Sequence, residues 1–204
     1  KIDNIKDIPS LLQTIAYFQT TGTRPAFTFG VGQDDKISSK NALFLYQGGL
    51  GLDQRSYYFD TDADTKKIRQ EYVKHIAKIF ELTGENKNLS SANATVVMKL
   101  ETELAKNSRK IEDLRDPVKN YNKMSVAQLN TITPNINWRV MLANLKLTKA
   151  DTVIVGQPEF YKGLNSALKN FTIDEWKTYL KWDLFNSYAN YMTKDIEDQH
   201  FYFY

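Results

Sequence analysis

The spacing of apolar positions divides the chain into alternating helical and extended stretches. From Asp7 to Thr20, Leu11, Leu12, Ile15 and Phe18 recur at helical intervals, with Asp7 as a cap, Pro9 in the first turn and Gly22 beyond the end. The period then drops to two. Phe27, Phe29 and Val31 share one side of a strand, Ala42–Gln47 forms a second, and Asp34–Asn41 is left as a long polar loop. The pair predicts an antiparallel hairpin over about 26–47, followed by an irregular glycine-rich loop, Gly48–Leu52.

From about 60 to 193 the helical period returns. Asp62 or Asp64 caps a helix to Leu82, with Ile68, Tyr72, Ile76, Ile79 and Phe80 inward and Gly84 as its stop. Ser90 or Ser91 starts a second, which carries Val97, Met98, Glu101 and Leu104 to about Ser108. Arg115-Asp116-Pro117 interrupts the pattern. Ser125 with Gln128, and Thr172 with Glu175, have capping-box spacing. Trp138–Leu145 and Pro158–Asn170 predict two more helices, Thr152–Val155 a short strand or extended link, and Trp176, Leu180, Leu184, Tyr188 and Tyr191 a long helix to about Thr193. Phe201-Tyr202-Phe203-Tyr204 looks strand-like and needs something to pack against. The expected fold is mainly α: one helical domain over 1–204 with a small antiparallel hairpin near its start.

Composition narrows the function. The 204 residues include 42% hydrophobic, 12 Tyr and 11 Phe, enough for a core and too aromatic for disorder. With 27 basic against 24 acidic residues, and no basic block longer than two, there is no case for nucleic acid. No apolar run reaches the ~20 residues of a membrane helix. The absence of Cys excludes disulfides and thiolate metal sites, and fits an extracytoplasmic bacterial protein, periplasmic or associated with the cell envelope. The chain starts at Lys1, and both ends read as cuts from a longer polypeptide.

No catalytic constellation is complete. His75 and His200 are the only histidines, far apart, and neither belongs to H-E-x-x-H, so each reads as a bystander. Gly30-Val31-Gly32 lacks the rest of a dinucleotide fingerprint, and Asp34-Asp35 lacks a calcium-loop pattern and reads as a turn. No G-x-S-x-G occurs. The sequons at Asn88, Asn93 and Asn170 fall where caps are wanted anyway. Glu101, on an inner helix face, needs a partner; Arg115 is the candidate, in a structural ion pair rather than an acid–base role.

Several stretches together resemble the neprilysin family of zinc endopeptidases, in the segment before its catalytic half. They are Val31-Gly32-Gln33-Asp34-Asp35-Lys36 with Ser38, then Gln47-Gly48-Gly49-Leu50-Gly51-Leu52 with Arg55-Ser56-Tyr57-Tyr58. Leu100–Ala105, Arg115-Asp116-Pro117, Tyr121–Ser125, Trp138, Val153–Val155 with Pro158, and Trp176–Leu180 continue the series in order. The lack of Cys resembles bacterial rather than animal members.

That resemblance implies a helical domain facing a zincin-type catalytic domain of the same polypeptide across an enclosed cavity, with peptides as substrates. It implies zinc in the full-length parent, held by residues beyond Tyr204, and none in this fragment, which is expected to be inactive alone. No catalytic or metal-binding residue carries over. Arg55, Tyr57 and Tyr58 are the candidates for facing the cavity, an Arg and two hydroxyls suiting peptide backbones and carboxylates; the two Tyr plugging the joint between hairpin and helix is the other reading. A non-enzymatic helical module that binds peptides or a partner is the main alternative, and a structural envelope protein a weaker one.

Overall fold

The computed structural model describes all 204 residues. A 3-10 turn, Ile2–Asn4, precedes α1 (Ile8–Thr21), where Asp7 and Ser10 cap each other's amides and Gly22 leaves the helix at φ 106°. β1 (Phe27–Asp34) and β2 (Ile37–Gln47) form the hairpin. The expected long loop is absent. Asp34 Oδ1 accepts the amides of Lys36 at 2.9 Å and Ile37 at 3.2 Å, which closes a tight turn and lets β2 begin at Ile37.

The hairpin is half of a larger sheet. β3 (Asn122–Ser125) and β4 (Thr152–Val155) complete four strands in the order β1-β2-β4-β3. β4 runs parallel to β2, with Phe44 opposite Ile154, and antiparallel to β3. A mixed sheet thus replaces an isolated hairpin. β3 is four residues long and begins 75 positions beyond the end of β2, so it leaves no period to read along the chain.

Helices make up most of the remainder: α2 (Arg55–Phe59), α3 (Ala63–Leu82), α4 (Lys87–Lys106), α5 (Val126–Ile132), α6 (Trp138–Asn144), α7 (Pro158–Asn170), α8 (Ile173–Tyr188) and α9 (Lys194–Phe203). Both predicted capping boxes form, Ser125 with Gln128 and Thr172 with Glu175. α4 starts earlier than expected because Asn86 takes the Leu89 amide at 3.0 Å, leaving Ser90 buried inside the helix. α8 also stops early. A 3-10 turn, Ala189–Tyr191, and an extended Met192 separate it from α9. The terminal aromatics are therefore helical, not strand-like. Ile196, Gln199 and Phe203 recur at helical spacing: Ile196 is buried, Gln199 Nε2 lies 3.2 Å from His75 Nδ1, and Phe203 stacks on His75.

Two cores result. A cluster of 31 residues joins α1, the sheet and α5–α8 around Trp138, Phe27 and Tyr161, whose ring centroids lie 5.6–6.0 Å apart. A second cluster of 12 lies mainly between α3, α4, α8 and α9, around Tyr72, Phe80 and Trp182. No helix is long and apolar enough to cross a membrane.

Candidate functional site

The glycine-rich loop Gly48–Leu52 lies where the two cores meet. Gly49 takes φ 76°, and a side chain there would sit 2.7 Å from the Ala26 backbone. Tyr179 Oη pins this contact, donating to Gly49 O and accepting from the Ala26 amide, both at 2.9 Å. Gly51 passes over the Tyr72 hydroxyl, and a Cβ there would overlap it.

Beneath the loop lies Glu101, on α4 and 1% exposed. Tyr58 Oη donates to it at 2.7 Å, Tyr72 Oη at 2.9 Å and Trp182 Nε1 at 3.2 Å. The Gly51 backbone, which passes over the carboxyl, also favours its charged form. Each Tyr hydroxyl also accepts a bond, Tyr58 from the Leu52 amide and Tyr72 from Trp182 Nε1, both at 3.0 Å. Glu101 therefore ties the loop, α2, α3 and α8 together through neutral donors. Its expected partner is wrong: Arg115 is exposed in a 3-10 turn, and Tyr and Trp tips on buried helix faces take its place. The signal was present, since a Tyr on an apolar stripe such as Tyr72 must bond its hydroxyl somewhere. Burial pushes the Glu101 carboxyl up to about 7, against the donors that favour its charged form.

Two more polar nodes hold the motifs that carried the resemblance. Asp34, 2% exposed, takes the Lys123 ammonium at 2.7 Å and the Tyr121 hydroxyl at 2.9 Å, binding the hairpin tip to β3. The Lys123 bond, with the turn amides, holds its carboxyl far below the usual range. Gln47 pairs both ways with the Arg109 backbone, at 2.7 and 3.1 Å, while its own amide donates to Gln157 Oε1 at 2.9 Å. Arg109 closes this node with a two-pronged pair to Glu159.

The candidate residues on α2 part company. Arg55 lies over the Phe59 ring, 4.6 Å from its centroid. Tyr58 turns inward to Glu101 and is buried. Tyr57 faces an open groove of about 880 Å³ between α3 and α9, which Lys67, Glu71, Lys74, Tyr202 and Phe203 also line. His75 lies in its wall, stacked on Phe203 with centroids 4.7 Å apart, and burial lowers its pKa to about 4. The fold brings His200 to within 6.1 Å of it, ring to ring. These residues do not fit a zinc ion: no third ligand joins the two imidazoles, and no group of three or more His, Cys, Asp or Glu is placed to hold a metal.

A helical layer on a small mixed sheet, cross-tied by buried polar nodes, is the architecture of part of a zinc metalloprotease chain. The whole of this chain superposes on zinc metalloprotease ZMP1 of Mycobacterium tuberculosis with a TM-score of 0.94 at 26% identity, covering 31% of that chain. PepO of Lactobacillus rhamnosis shares the fold, with a TM-score of 0.77 at 14% identity.

The chain belongs to peptidase family M13, whose N-terminal family model matches residues 1–204. It is 34% identical over 184 residues to an endothelin-converting enzyme homolog of Locusta migratoria and 28% identical over 183 residues to neprilysin-3 of Drosophila melanogaster. Each match takes in 84% of this chain but only 25% and 23% of those relatives, so the chain spans about a quarter of their length.

Proposed function

We propose that residues 1–204 are the non-catalytic helical portion of a zinc-dependent endopeptidase that hydrolyses peptides in an enclosed chamber. The observation that carries this is the whole-chain superposition on about a third of a zinc metalloprotease, in residues that hold no set of metal ligands. The zinc, its ligands and the general base then belong to a catalytic domain elsewhere in the same polypeptide. These helices supply part of the chamber wall, admitting peptides and excluding folded proteins. Arg55 and Tyr57 are the residues of this chain offered to peptide, while Tyr58 holds the joint beneath them. A periplasmic or cell-envelope location completes the proposal, and the lack of Cys is compatible with it.

The test compares the 204-residue chain with the longer polypeptide encoded by its gene, using a quenched fluorogenic peptide and elemental analysis. The longer protein should carry one zinc and lose turnover to a chelator, and the short chain should carry none and cleave nothing. Turnover or stoichiometric zinc in the short chain overturns the proposal. Peptide binding without hydrolysis by the longer, zinc-loaded protein would instead favour a non-enzymatic peptide-binding module.

A further inference from the structure

The link from α1 to β1 is fastened to α8 at both ends. Tyr188 Oη donates to Thr21 O at 2.7 Å, and the Ala26 amide donates to Tyr179 Oη at 2.9 Å. Arg24 lies between these two fasteners on the link, and Asp183 lies between the same two tyrosines on α8. Both line a cavity of about 470 Å³, together with Asn186 and the glycine loop, Gly48–Gly51.

The cavity is short of donors. Asp183 Oδ2 and Asn186 Oδ1, three residues apart on one face of α8, are buried without a hydrogen-bond partner. The Asn186 amide nitrogen is spent on Tyr204 Oη, at 3.3 Å, which fixes its oxygen as the free end. A buried acceptor without a donor is costly, and a buried carboxylate without a counter-charge far more so. Burial accordingly raises the Asp183 carboxyl to about 7. Asp53 and Glu101 line the same cavity and oppose a further negative charge, while Tyr179, one turn away on α8, is neutral. Arg24 is the one cationic side chain on the cavity, and it is exposed, with neither an ion pair nor a hydrogen bond of its own. A guanidinium answers this shortage: it has donors only, and its planar fork can serve a carboxylate and an amide oxygen together.

We propose that Arg24 is a latch on this cavity. It folds down when Asp183 ionises, donating to Asp183 Oδ2 and Asn186 Oδ1, and it swings free, as seen here, when Asp183 takes up a proton. The link is already fastened at both ends, so only the Arg24 side chain has to move. Arg24 keeps its charge at every working pH, which leaves the Asp183 proton as the switch. The latch thus clamps the glycine loop, and with it the joint between the two cores, at higher pH and releases it at lower pH. The inference stands without the peptidase reading, because every group in it belongs to this chain.

Two measurements on the 204-residue chain test it. The first is a carbon-13 NMR titration of the aspartate carboxyls, with Asp183→Asn to assign the signal. Arg24→Gln should raise the Asp183 midpoint by about one pH unit or more, and Arg24 is exposed, so its replacement leaves both cores intact. The second is hydrogen exchange at Gly48–Gly51, read as protection relative to the unfolded chain. Glu101 titrates in the same range but is common to the proteins compared, so their difference is the informative quantity. Wild type should be about fivefold more protected than Arg24→Gln at pH 8 and equal to it at pH 5. In an Asp183→Asn background, Arg24→Gln should change nothing at either pH. An Asp183 midpoint that ignores Arg24→Gln overturns the proposal. So does equal protection of the two proteins at pH 8, or a difference that persists at pH 5 or in the Asp183→Asn background.

Discussion

Replacing Glu101 with glutamine should flatten the dependence of stability on pH. Glu101 is fully buried, and its folded pKa of about 7 lies above the unfolded value of 4.5. The carboxyl therefore favours the folded state fully below about pH 4.5, and that contribution is lost as pH rises through about 7. Between pH 5 and pH 8 the loss attributable to Glu101 comes to about 2.5 kcal/mol. Burial raises the Asp183 carboxyl to about 7 as well and adds to the same trend, so the informative quantity is the difference between wild type and variant. At pH 5 glutamine stands in for a protonated acid of the same shape, and the two proteins should differ by roughly 1 kcal/mol or less. At pH 8 the variant should have gained on the wild type by about 2.5 kcal/mol, read from urea unfolding monitored by tryptophan fluorescence. Tyr72→Phe should act oppositely, removing one donor from the anion and steepening the wild-type slope. Equal pH slopes for wild type and Glu101→Gln would refute the reasoning, because they would mean that the three side-chain donors outweigh burial and keep Glu101 charged throughout.

Other expectations follow from the same geometry. Gly49→Ala puts a Cβ on the Ala26 backbone at a positive φ and should cost about 3 kcal/mol or more in urea unfolding, against far less for Gly84→Ala, where only φ is strained. His75, with a folded pKa of about 4 against 6.5 unfolded, loses stability as pH falls below 6.5. His75→Phe should remove about 2 kcal/mol of that loss between pH 7 and pH 5, and should keep the stack on Phe203. Asp34→Ala frees the amides of Lys36 and Ile37 and the Lys123 ammonium, so hydrogen exchange should accelerate at the hairpin tip while α3 and α4 remain protected.

Much of the helical frame was legible in the order of residues, because helix signals are local. Asp7, Ser125 with Gln128, and Thr172 with Glu175 cap helices within their own first turns, and the apolar stripe of α3 repeats every three to four residues. The family resemblance was likewise visible in short motifs, whose residues prove to bond across the fold: Asp34 to Lys123, Gln47 to Arg109, Tyr58 to Glu101. What those bonds join could not be read along the chain. The partners of Glu101, the docking of β4 beside β2, and the meeting of His75 with His200 each pair residues with no fixed spacing between them. A buried carboxylate specifies only that donors must surround it, and a strand specifies only that another must lie beside it. Which donors and which strand is decided when packing brings distant segments within hydrogen-bond reach.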